Sequence, residues 1–231
     1  METKSAWVGP VGAAQANTVT FTYNGQQVTY GILTSAITQR KWLDRNLGAP
    51  GSPTGPDDWP NKGDLFQWGR KADGHQLINR AATSPGTTAV NGITATLATS
   101  ANAVNSLFIT VQSIPFDWIT PQNTDLWKLT GGINNVCPVG WHVPTTAEWT
   151  AEQLGSVQDA YDKLKITTGG LRNFNDGTFM ATTLSGYYWT SSVFIGATNS
   201  PSSFHFSTTG SSGFASADVP ANGESVRCIK D

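Results

Sequence analysis

Few side chains in this chain stand at a spacing that supports catalysis. The three histidines are His75, His142 and His205. None is followed by a second histidine four residues on, the arrangement by which one helix face holds a catalytic zinc. The two cysteines, Cys137 and Cys228, lie 91 positions apart (228 − 137), outside any Cys-x-x-Cys pair or Cys/His cluster. No zinc site is therefore indicated. They read either as a disulfide tying a mid-chain loop to the last strand or as two buried thiols, a choice that turns on the redox compartment. Serine is plentiful, yet neither a Gly-x-Ser-x-Gly elbow nor a phosphate loop ending in Gly-Lys-Ser/Thr occurs. Adjacent acids occur only at Asp57-Asp58, in a proline-rich loop. Their hard carboxylate oxygens could ligate calcium, although a solvated loop is the preferred reading. No enzyme activity is expected, and no cofactor beyond that calcium.

The chemistry of contact is better represented. From Thr190 to Asn222 the chain is built of Ser, Thr, Gly, Ala, Asn and Pro with interspersed Val, Phe, Ile, His and Asp, and it contains no Lys, Glu, Gln, Trp or Met. Those five are the residues that codons ending in a pyrimidine cannot encode. The segment therefore has the residue set that mutation of adenines in AAC or AAT codons produces; a Ser/Thr-rich surface loop is the plainer alternative. Val193, Phe194, Ile195, Thr198, Asn199, His205, Phe214 and Asp218 are the candidate ligand contacts. Exposed Phe and Ile are unfavourable in water unless a partner covers them. Aromatic anchors among small adaptable polar residues are also the composition of binding loops.

The bulk composition points the same way. Only 13% of the residues are charged and 38% are hydrophobic, but 9 Trp and 10 Phe offer large areas for a core. A surface short of charge must be covered by Ser, Thr, Asn, Gln and Gly, which suits a β-rich, externally exposed protein; an ordinary low-charge enzyme is the alternative. The net charge is −2 and no Lys/Arg cluster appears, so nucleic acid is not an expected partner. No apolar run reaches membrane-spanning length. The opening Met-Glu-Thr-Lys-Ser-Ala-Trp has no signal-peptide core, so the chain either avoids that secretion route or begins after a leader.

The elements that must position these side chains are legible in part. Thr18–Tyr23, Asn24-Gly25 and Gln26–Tyr30 predict a β-hairpin, because Asn-Gly accepts positive φ at both turn positions. Residues 48–63 carry too many prolines and glycines for a regular element. Residues 81–113 have few large apolar side chains and are expected to be an insertion over the surface. Thr145 and Glu148 form a Thr-x-x-Glu capping box that predicts a helix from about Thr146 to Leu154, with Pro144 ending the extended segment before it. A second helix is expected over Val157–Leu164. Strands are expected at Gly186–Ser192, Ser203–Ser207 and Gly223–Ile229. Absent a clean linker, one α+β domain is the reading.

Several of these segments occur in an order that resembles a known family. Trp42-Leu-Asp-Arg-Asn-Leu47, Gly63-Asp-Leu-Phe-Gln-Trp-Gly69, Cys137-Pro-Val-Gly-Trp-His-Val-Pro-Thr-Thr-Ala-Glu-Trp149, Gly186-Tyr-Tyr-Trp-Thr-Ser-Ser192 and Ser225-Val-Arg-Cys228 are similar to the C-type-lectin-like fold in its formylglycine-generating-enzyme branch. Within that branch they resemble the Fibrobacter succinogenes major paralogous domain family and the variable proteins of diversity-generating retroelements. The resemblance spans residues 42–231, with residues 1–41 as an N-terminal hairpin extension outside it. It implies that Trp68, Trp141, Trp149 and Trp189 fill the core and that Pro144 and Thr145 set the helix start. It also implies that Arg227 orders loops through its fork of donors rather than acting in catalysis. The closely spaced C-terminal cysteine pair of the catalytic branch is missing, since only three residues follow Cys228.

The expectation is thus a non-enzymatic binding protein of C-type-lectin-like fold. It is expected on a phage tail or bacterial surface, contacting a protein or glycan receptor through residues 190–222, as a homo-oligomer or part of a larger assembly. An invariant carbohydrate-binding or structural surface module is the alternative, and a formylglycine-generating-type oxidase ranks third.

Overall fold

The computed structural model describes residues 17–80, 87–103, 105–180, 185–194, 196, 199–208, 213–215 and 217–231. In chain order the strands are β1 (Thr18–Tyr23), β2 (Gln26–Thr34), β3 (Lys41–Leu43), β4 (Phe66–Gln67), β5 (Ile78–Arg80), β6 (Thr87–Ala89), β7 (Ile93–Thr94), β8 (Phe108–Ile109) and β9 (Trp141–His142). Helices α1 (Thr146–Ala151) and α2 (Val157–Leu164) follow. The chain ends with β10 (Leu171–Arg172), β11 (Phe179–Met180), β12 (Ser185–Phe194), β13 (Ser200–Ser207), β14 (Gly213–Ala215), β15 (Gly223–Glu224) and β16 (Ile229–Lys230). This is a mixed α+β architecture of small, mostly antiparallel sheets with few helices. No helix among the described residues is long and apolar enough to cross a membrane.

The largest sheet has the order β1-β2-β3-β16-β9. Its first turn is the predicted one: Asn24 and Gly25 have φ of +47° and +72° and connect β1 to β2 with Tyr23 opposite Gln26. The hairpin is not a detached appendage. β2 continues to Thr34 and pairs with β3 through Ile32–Leu43, Leu33–Trp42 and Thr34–Lys41. Tyr23 and Tyr30 are buried in the main apolar cluster. The boundary at residues 41/42 therefore falls inside a continuous sheet.

Two further findings depart from expectation. The last segment is not one strand. β15 pairs with β4 and β10, β16 pairs with β3 and β9, and between them Ser225 bridges to Tyr188 of β12. A single run thus supplies backbone partners to three sheets in turn, and no one register can hold throughout. The 81–113 stretch also differs. Its β7–β8 pair is parallel, and Phe108, Ile109 and Val111 are buried, so its C-terminal end is core rather than surface cover.

Helix α1 starts as its capping box dictates. Thr145 Oγ1 accepts from Glu148 N at 3.2 Å, and Glu148 Oε2 accepts from Thr145 N at 2.8 Å. The helix ends at Ala151, earlier than expected, because Glu152 is pulled inward. Its buried carboxylate accepts from Trp42 Nε1 at 3.0 Å, Thr38 Oγ1 at 2.6 Å and Ser35 Oγ, and Gln153 beyond it turns to φ +51°. α2 has the predicted bounds, with Ser156 Oγ capping Asp159 N at 3.1 Å.

The core is aromatic. Trp149 lies 5.0 Å from Trp42 and stacks on Phe204 at 5.4 Å, centroid to centroid. Buried indoles also tie β4 and the turn after it to β12: Trp68 Nε1 donates to Thr190 O at 2.9 Å, and Trp189 Nε1 to Phe66 O at 2.6 Å. Such rings contribute both apolar area and a polar handle that needs a partner once buried. Cys137 and Cys228 are joined in a disulfide inside this core, which decides between the two readings of that pair. Arg227 is fully buried, donating from Nη1 to Leu43 O at 2.8 Å and from Nη2 to Lys165 O at 2.6 Å.

Candidate functional site

Strand alternation sorts the β12–β13 hairpin into two faces. Tyr188, Phe204 and Phe206 turn toward the helices and pack around Trp149. Tyr187, Trp189, Ser203 and His205 occupy the opposite face, with Tyr187 opposite His205 and Trp189 opposite Ser203. On that face Trp189 is fully buried, whereas Tyr187 and His205 are half-buried and stack at 4.5 Å. Burial holds the His205 pKa below its ordinary value, with nearby Asp218 opposing, so the ring is neutral at neutral pH. Its Nε2 has no hydrogen-bond partner among the described residues. Burial, then the nearby acids Glu224 and Asp218, raise the Tyr187 phenol.

Asp218 adjoins this face but is fully employed. Oδ2 accepts from Ser203 Oγ at 2.6 Å, and Oδ1 accepts from Val219 N at 2.7 Å and Asn222 Nδ2 at 3.1 Å. Its own N–H donates to Pro201 O at 2.8 Å. Asp218 thus latches the 218–222 turn to β13. Behind it sits Glu224, fully buried, with neither carboxyl oxygen accepting a hydrogen bond. Desolvation, then the neighbouring Asp218, push its pKa well above the ordinary value. Desolvation and the adjacent Asp218 carboxylate both favour the neutral acid at this position.

The other candidates lie toward the hairpin tip. Val193 lies six positions beyond Tyr187, roughly 20 Å of strand. Thr190, Ser191 and Ser192 in between are committed to the scaffold. Thr190 Oγ1 donates to Ser202 O at 2.9 Å across an irregularity in the ladder, and Ser192 Oγ accepts from Thr146 N at 3.0 Å, capping α1. Val193 is half-buried against the core, and Phe194 is 53% exposed. Asn199 adopts φ +43°, and its Oδ1 accepts from Gly196 N at 3.3 Å, which makes it a turn residue. Ile195 and Thr198 fall outside the described residues. Of Phe214 only the backbone is described, opposite Phe204 in β14.

The candidates therefore divide into a tip group of Val193, Phe194 and Asn199 and a mid-sheet group of His205 and Asp218. Two residues of the mid-sheet group were missed. Tyr187 was within reach of sequence reasoning, because an inward Tyr188 sends its neighbour outward. Glu224 carries no local signal, since only its distant neighbours bury it.

The Asp57-Asp58 pair is engaged within the protein. Asp57 pairs with buried Lys62 and accepts from Thr168 Oγ1 at 3.2 Å. Asp58 Oδ2 accepts from Thr54 N at 2.8 Å, Thr54 Oγ1 at 3.0 Å and Asn61 Nδ2 at 3.1 Å. Among the described residues no group of three or more His, Cys, Asp and Glu side chains is placed to hold a metal ion.

No known protein family, curated protein or solved structure matches this chain.

Proposed function

We propose that this chain is a non-catalytic receptor-binding protein of C-type-lectin-like fold, a variable protein of a diversity-generating retroelement displayed on a phage tail or bacterial surface. Its ligand, a protein or glycan on a target cell, meets the outer face and tip of the β12–β13 hairpin. The observation that carries the reading is the division of labour within residues 190–222. Buried Thr190, Phe204 and Phe206 hold the scaffold, while Phe194 is exposed at the tip and His205 is half-buried on the face opposite Phe204 and Phe206. Aromatic and imidazole groups on a rigid strand give contact area at little ordering entropy. Tyr187 extends the same surface from outside the adenine-codon segment and supplies a fixed platform beside His205.

Sequencing this gene across many cells or virions of its source tests the proposal. Substitutions should concentrate at outward positions such as Phe194 and His205, where the unmutated template codon carries adenines, and spare Phe204 and Phe206. An invariant segment would leave a fixed adhesion module, to be screened against sugars first. Variation spread evenly over buried and outward codons would contradict the division of labour itself.

A further inference from the structure

β1 is an edge strand, and three features bear on what covers it. The first is its backbone. Ile32 N donates to Asn17 O at 2.8 Å, and Thr18 lies opposite Gly31. The hydrogen-bonded pairs with β2 are therefore Asn17–Ile32, Val19–Tyr30, Phe21–Val28 and Tyr23–Gln26, because such pairs alternate along an antiparallel ladder. The N–H and C=O groups of Thr18, Thr20 and Thr22 consequently point away from β2. Among the described residues no strand pairs with that outer edge.

The second feature is the absence of protection. Natural edge strands are blunted by Lys, Pro, bulges or inward charges. From Thr18 to Tyr30 there is no charged residue and no proline, and the β1–β2 register runs without a shift. The third feature is symmetry. Thr18-Val-Thr-Phe-Thr22 reads nearly the same in both directions about Thr20. Burial alternates with it: Thr18, Thr20 and Thr22 are exposed, while Val19 and Phe21 are half-buried on the core side.

We propose that β1 pairs antiparallel with β1 of a second copy of this chain, about a two-fold axis at Thr20. In that register Thr20 meets its own counterpart and Thr18 meets Thr22 of the other copy. The outward groups of all three threonines are then used, giving reciprocal bonds at each of three pairs. Val19 and Phe21 of opposite copies become the non-hydrogen-bonded neighbours, the closer of the two pair types, on the shared apolar face. An isologous contact of this kind closes on itself and gives a dimer rather than a filament. One strand pair is smaller than a standard interface, so the affinity sits in the micromolar range typical of weak contacts.

The test is sedimentation velocity of the full chain over a concentration series, with Thr20→Lys and Thr20→Asp variants. Thr20 is exposed and, among the described residues, its side chain bonds to Thr29 Oγ1, so both variants should fold, which circular dichroism checks. The wild type should be a reversible dimer. Each variant alone should dimerise at least tenfold more weakly, because like charges meet at the axis. An equimolar mixture of the two should recover the dimer as a heterodimer. A wild type that stays monomeric at several hundred micromolar overturns the proposal. So does a dimer that Thr20→Lys leaves unchanged, or a mixture that fails to recover association.

Discussion

Reducing the Cys137–Cys228 disulfide should lower stability substantially, and the size follows from the connectivity. The bond spans 91 residues. Closing a loop of that length removes entropy from the unfolded chain worth about 4.6 kcal/mol at 25 °C. The native state loses little besides, because both sulfurs stay where they are: Cys228 is 0% and Cys137 9% exposed within the main core. The segment around Cys228 is also held independently, by Leu43 N donating to Cys228 O at 3.0 Å and by β16 between β3 and β9. The reduced chain should therefore still fold. For a chain of this length 1 kcal/mol corresponds to about 2 °C in Tm, so the midpoint should fall by about 10 °C. The assay is differential scanning calorimetry on oxidised protein and on protein unfolded, reduced and refolded under reductant. This comparison keeps the same side chains in both samples. A fall below about 3 °C would refute the reasoning, because the loop would then already be constrained in the unfolded chain or the two cysteines would not be joined.

Three further outcomes are expected. Glu224→Gln should flatten the fall of stability with rising pH. The buried acid keeps its proton after the unfolded chain has lost its own, so wild-type stability declines above the ordinary glutamate value by up to about 1.4 kcal/mol per pH unit per retained proton. Urea midpoints at pH 5 and pH 8 check this, and a variant as pH-sensitive as the wild type would count against it; Asp64 and Asp117, each raised by burial to about 6, leave a residual slope of the same sign. Glu148→Gln should destabilise the protein by about 2 kcal/mol at pH 7. Although burial opposes its ionisation, the hydrogen bonds from His142 and Thr145 hold the Glu148 pKa at about 2, so its contribution is lost as pH falls from 4.5 toward 2, readable from the acid limb of a chemical-unfolding pH series, while the share that depends on the His142 charge is lost as pH rises through the raised His142 pKa. Deleting residues 1–34 should abolish cooperative thermal unfolding by circular dichroism, since it removes the β2 partner of β3 and the buried Tyr23 and Tyr30; a truncated chain that melts sharply would show the sheet to be dispensable.

What the sequence by itself determined is what neighbouring residues decide. Asn24-Gly25 sets the hairpin turn because positive φ is a property of those two residues. Thr145 and Glu148 start α1 because a capping box closes within one helical turn, and Ser156 with the Val157–Leu164 pattern sets the bounds of α2, although burial of Val157, Ala160 and Leu164 is what holds so short a helix. The α+β class follows from the same short-range periodicities. Tertiary structure alone decided the rest, because desolvation and sheet pairing are set by residues remote in sequence. Glu152 stops α1 through Ser35, 117 positions away. Arg227 is placed by Leu43 and Lys165. The final segment splits because three sheets draw on it, and Phe108 and Ile109 enter the core from a stretch whose composition resembles a surface loop. Among the candidate contacts, residue type nominated Asp218 and Asn199. Only the folded chain showed both held in turns, and only burial of Glu224 beside Asp218 raised the pKa of an otherwise ordinary acid.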